Sequence, residues 1–167
     1  MKTRDIVIGL VIVVLLGGIF YWRRVKTQVP KEELKVPQTL SIQDQIEEKF
    51  NLKLPEDVEK AELKDVSGGS SSGIATRKFE NQTFSHTVLA DLPDPEQGKF
   101  YEGWLTKGEE GKEGFSIVST GRMRQAKGGW LLELQTKTNY TDYKNVVVTL
   151  EEKVDKIPEK HILEGSF

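Results

Sequence analysis

The sequence predicts a mainly β protein: a small antiparallel β-sandwich behind a single N-terminal transmembrane helix. Three observations carry this reading. The run from Ile6 to Trp22 has no charged residue, and the residues beyond Asp57 alternate between apolar and polar. Glycine, proline and aspartate cluster between the alternating stretches.

The uncharged run, IVIGLVIVVLLGGIFYW, is 17 residues long between Asp5 and Arg23. At about 1.5 Å per residue a helix of this length reaches about 25 Å, and flanking basic side chains extend it to the lipid headgroups. Phe20, Tyr21 and Trp22 form the aromatic cluster of one membrane interface. A cleaved signal peptide has a shorter apolar stretch and a small-residue cleavage site, and neither fits the bulky, basic FYWRR. The expected order is therefore a tail at residues 1–5, a membrane span at 6–22 and a proline-containing charged linker at 23–40. A β-sandwich domain with a short leading helix follows at 41–167. Two basic residues precede the span and three follow it closely, a count that leans by one residue toward a cytoplasmic C-terminal side.

Ser41 with Asp44 approximates a capping box, and Ile42, Ile46 and Phe50 fall four apart, so a short helix is expected to start here, pack by that stripe and stop at Pro55. Strands are expected at 58–66, 74–79, 83–92, 99–105, 115–120, 130–135, 146–151 and 160–163. In the third of these, Phe84, His86, Val88, Ala90 and Leu92 share one face. Phe100 and Trp104 share a face opposite Tyr101, and core packing is the expected use of the first two. The turns at 67–73, 91–95, 108–114 and 127–129 supply the connections.

Composition excludes several classes of function. Residues 1–40 carry seven Lys/Arg against three acidic residues, so the net charge of −2 leaves −6 for the remainder. A mildly acidic domain behind a basic flank suits a lipid bilayer at the anchor and argues against nucleic acid. The chain has no cysteine, which removes disulfides, thiolate metal sites and a cysteine nucleophile.

No catalytic, cofactor-binding or metal-binding residues are expected. His86 and His161 are the only histidines; the first reads as a satisfied core residue and the second as structural. Gly108-Glu109-Glu110-Gly111-Lys112 lacks phosphate-loop spacing and reads as a polar hairpin tip. Asp91, Asp94 and Glu96 supply oxygen ligands without calcium-loop spacing and read as an acidic turn. Arg122, Arg124, Lys127 and Trp130 make one basic-aromatic patch, which suits either an anionic lipid or wall polymer or a solvated hairpin.

One stretch resembles a known family. Gly73-Ile74-Ala75-Thr76 opens a strand, and Val88-Leu89-Ala90-Asp91-Leu92-Pro93 leads to a turn. Gly98-Lys99-Phe100-Tyr101-Glu102-Gly103-Trp104-Leu105 is similar to a G-x-x-Y-x-x-W-L pattern. Val146-Val147-Val148-Thr149-Leu150-Glu151 is similar to a late V-T-x-E strand, followed by Pro158 and Ile162-Leu163-Glu164-Gly165. Residues 73–167 on these motifs resemble the extracytoplasmic C-terminal domain of anti-sigma-K, RskA-like factors. The resemblance implies a bacterial membrane protein with its β domain outside the cytoplasmic membrane. Only five residues precede the span here, too few for the family's sigma-binding domain. The expected function is a membrane-anchored, non-catalytic interaction or sensory module that docks a protein or cell-wall partner. The alternatives are an anti-sigma regulator acting with a separate sigma-binding subunit, and a surface enzyme built on an unrecognised carboxylate pair.

Overall fold

The computed structural model describes residues 40–167. The expected tail, span and linker up to residue 39 lie outside the described residues. Among the described residues, no helix is long and apolar enough to cross a membrane.

Helix α1 (Ile42–Phe50) starts as its sequence dictates: the Ser41 hydroxyl accepts the Asp44 amide proton at 3.1 Å. It ends earlier than Pro55, because Asn51 takes the left-handed conformation at φ 53° and caps it. Ile46 and Phe50 are buried on Ile74 and Leu89, so the apolar stripe is a packing face. The strands are β1 (Glu59–Asp65), β2 (Ser72–Glu80), β3 (Thr83–Asp91), β4 (Phe100–Lys107) and β5 (Ser116–Arg122). They continue as β6 (Arg124–Ala126), β7 (Gly129–Thr136), β8 (Asn145–Glu151) and β9 (Lys160–Ser166). The eight expected strands are all present within a few residues of their expected ends. The three-residue β6 is additional, too short for an alternation to announce it.

The mainly β, antiparallel character stands, but the two sheets of a sandwich do not form. All nine strands join in one antiparallel sheet, in the order β5-β4-β8-β9-β1-β2-β3-β7-β6. The two ends of that order, β5 and β6, are consecutive in the chain and separated by Met123 alone. One bent segment therefore begins the sheet at one edge and finishes it at the other, which rolls the sheet into a nearly closed barrel. Corners of this kind, where the chain turns from one edge to another, bring β5 against β7.

The barrel interior holds Leu63, Phe84, Val88, Leu105, Leu132, Val146, Val148 and Leu163, with Met123 at the corner. Glycine makes the tightest approaches possible. A Cβ on Gly103 would lie 2.7 Å from both Leu132 Cδ1 and Thr120 Oγ1, and one on Gly165 would lie 2.2 Å from the Glu62 carbonyl oxygen. Arg77 also points inward, its side chain fully buried, with Nη2 on Glu59 Oε2 at 2.8 Å and Nη1 on the Tyr143 carbonyl at 2.6 Å. Its guanidinium carbon stands 4.0 Å over the Phe167 ring, so the charge is both paired and stacked.

The alternation in β4 is as expected, but its faces are exchanged. Tyr101 belongs to the barrel core, whereas Phe100 and Trp104 lie on the outer face. Both are buried there all the same, because every residue of β4 from Phe100 to Thr106 is covered. Trp104 donates its indole N–H to Thr149 Oγ1 at 2.8 Å.

Candidate functional site

The outer face of β4, β5, β8 and β9 carries a groove of about 470 Å³ between the loops at residues 108–115 and 152–159. Val147 and Ile117 form its floor, and Phe115 and Pro158 its walls. This volume lies within the range of small-ligand and side-chain pockets.

The polar end of the groove depends on a break in strand register. Along β9 the pairing runs Val147 with Glu164 and Val148 with Leu163, then skips to Thr149 with His161. Ile162 is the extra residue; its carbonyl instead accepts the Val66 amide proton at 2.9 Å. In regular alternation His161 and Glu164 would point to opposite faces. The bulge turns both outward, and His161 Nδ1 meets Glu164 Oε1 at 2.6 Å. Nearby, the Asn145 side-chain amide donates to Thr106 Oγ1 at 3.4 Å. Glu109 and Glu110 overlook the groove from the β4–β5 loop, which is the polar hairpin tip that the sequence suggests.

A second groove of about 470 Å³ lies beside α1, on the outer face of β2, β3 and β7. Its floor includes Leu54, Val58, Leu89 and Leu131, with the hydroxyls of Thr76, Ser85 and Thr87. Its charges are mostly neutralised by neighbours. Lys53 pairs with Glu47 at 2.5 Å, Lys78 with Asp57 at 2.6 Å and Glu133 with Arg124. The bonds from Lys53 and Gln43 hold the Glu47 carboxyl down to about 2.

The other sequence candidates are dispersed. His86 is buried in the barrel, as expected, but only half satisfied: Nδ1 bonds the Thr76 carbonyl at 3.0 Å, and Nε2 has no partner. Burial pushes its imidazole down to about 4, so it is neutral and Nδ1 carries the proton. Asp91 pairs with Lys49, Glu96 with Lys99, and Asp94 accepts from Gln125. These acidic residues do not converge, and among the described residues no group of three or more acidic or histidine side chains could hold a metal ion.

The basic-aromatic patch likewise dissolves. Arg122 stacks on Phe100 with 4.1 Å to the ring centre, Arg124 pairs with Glu133, Trp130 packs on Tyr101, and Lys127 lines the α1-side groove. No protein-family model, curated protein or solved structure matches this chain.

Two carboxylates to which the sequence reading assigns no chemical role are buried on adjacent strands of the outer face. Glu102 and Glu151 are 8% and 1% exposed. Glu102 accepts the Ser119 hydroxyl proton, and Glu151 accepts the Glu159 amide proton at 3.0 Å, tying down the end of the 152–159 loop. Burial raises the Glu102 carboxyl above the usual range, with Glu151 and Asp155 adding to the effect. Neither residue lines either groove. Each is a glutamate at an alternating strand position, which ordinarily marks a solvated face.

Proposed function

We propose that the chain is a membrane-tethered, non-catalytic docking module, held outside the cytoplasmic membrane by residues 6–22 and binding a protein partner in the groove between the 108–115 and 152–159 loops. The groove itself carries the reading: an apolar floor at Val147 and Ile117 under a polar rim, placed on the outside of a nearly closed barrel with an apolar core. The rim groups already satisfy one another, His161 with Glu164 and Asn145 with Thr106, which suits holding a side chain more than moving a proton. The sequence likeness of residues 73–167 to the outer domain of RskA-like regulators supports the same class of role and the outward placement. A tether raises the local concentration of such a module at the membrane without any new contact.

Topology and contact test this together. A photo-crosslinking residue at Ile117 in the full chain is expected to trap one discrete partner in spheroplasts, while the same residue at Ser85 traps none. Added protease is expected to remove a C-terminal tag from intact spheroplasts. Equal trapping from both positions would overturn the groove as the docking site. A tag protected until lysis would overturn the outward placement.

A further inference from the structure

We propose that this groove is selective for a basic segment of the partner, a lysine or arginine flanked by aliphatic residues. This rests on the docking role proposed for the groove and adds the chemistry of its occupant. The charged side chains lining the groove are Glu109, Glu110 and Glu164, with His161 beside them. Among the described residues, no lysine or arginine lines it. The α1-side groove of similar size, by contrast, is lined by Lys53, Lys78 and Lys127.

Among the described residues, neither Glu109 nor Glu110 has an ion-pair partner, and both are exposed. Glu164 is bonded to His161 Nδ1, which orients its carboxylate at the bulge. The nearby cation Lys107 is turned to the Tyr143 ring, 5.3 Å from its centre. Carboxylates above an apolar wall concentrate negative potential, which repels an anion and attracts a cation. The methylene stem of lysine or arginine supplies the other half of the fit. It lies along apolar surface such as Val147 and Ile117 while its head stays at the polar rim.

Binding of three labelled, N-acetylated peptides to the full chain in non-ionic detergent micelles tests this by fluorescence anisotropy. The peptides are Leu-Lys-Val-Lys-Leu, Leu-Ser-Val-Ser-Leu and Leu-Glu-Val-Glu-Leu. The lysine peptide is expected to bind about tenfold tighter than the serine peptide, and the glutamate peptide weakest, since each exposed charge pair is worth a few-fold in affinity. E109K/E110K is expected to erase the lysine preference with an unchanged thermal midpoint, because both side chains are exposed on a loop. K53E/K127E on the other groove is expected to leave binding unaltered.

Equal binding of the lysine and serine peptides would overturn the selectivity while leaving docking at Ile117 standing. Competition by spermidine as potent as the peptide would also overturn it, assigning the groove to small polycations. Binding of none of the peptides would overturn it as well, and crosslinking from Ile117 then reports separately on docking.

Discussion

Arg122 and Arg124 are two residues apart in the chain yet stand at opposite edges of the sheet. Arg122 pairs with Glu102 on β4, and Arg124 pairs with Leu131 on β7. Met123 between them is 3% exposed and donates its amide proton to the Tyr101 carbonyl at 2.8 Å. The roll of the barrel thus turns on one buried side chain. Met123→Ala is expected to cost about 2–5 kcal/mol, the range for removing a buried methionine side chain, read as a lower urea midpoint. Met123→Leu conserves volume and is expected to cost less than about 1.5 kcal/mol.

The two tight glycines are expected to respond unequally to alanine. At Gly103 the new methyl meets the tip of Leu132 and the Thr120 hydroxyl, groups that can shift. At Gly165 it meets the Glu62 carbonyl of the neighbouring strand, which cannot move without opening the β1–β9 contact. Gly103→Ala should cost about 1–3 kcal/mol as ordinary overpacking, and Gly165→Ala more. Thermal melts of the two variants side by side check the order.

His86 makes stability depend on pH in the mildly acid range. Its folded value of about 4 lies below the ordinary imidazole value of 6.5, so the unfolded chain binds the extra proton between those limits. Stability is therefore complete above about pH 6.5 and falls as the pH drops toward 4, by about 3 kcal/mol in all. His86→Gln is expected to flatten this slope in urea titrations at pH 4.5, 5.5 and 7.5. An unchanged slope in the variant would assign it to other groups.

Asp65 holds the β1–β2 connection. Its carboxylate accepts the amide protons of Ser67, Gly69 and Ser71 at 2.8–3.0 Å and the Ser67 hydroxyl at 2.9 Å. Burial works against its charge, but these four donors outweigh it and bring the carboxyl down to about 2. Its stabilisation is present above the unfolded value near 3.8 and is lost as pH falls toward 2. Asp65→Ala is expected to cost about 1–3 kcal/mol at pH 7, since it leaves loop amides without their acceptor. The difference from the parent chain should shrink in acid unfolding below pH 3.

Much of this architecture is legible in the chain. Ser41 and Asp44 mark the helix start, the stripe of Ile46 and Phe50 marks its buried side, and period-two alternation locates eight of nine strands. These features are local, set by backbone hydrogen-bond partners and by side chains that alternate with the pleat. The alternation also places Phe84, His86, Val88 and Ala90 on one face, and that face is the interior.

Local pattern could not say which face of β4 turns inward, because both are covered, so Tyr101 exchanged places with Phe100 and Trp104. Nor could it show that the chain crosses from one sheet edge to the other at Met123, a matter of which distant strands pair. The groove depends on the same kind of information. His161 and Glu164 share a face only because Ile162 is left out of the β8–β9 ladder, and Glu109 and Glu110 reach them only across the sheet. The sequence by itself determined the elements and their apolar faces, since those follow from neighbours along the chain. Tertiary structure alone decided the closure, the bulge and the acidic rim, since each depends on register between strands far apart in sequence.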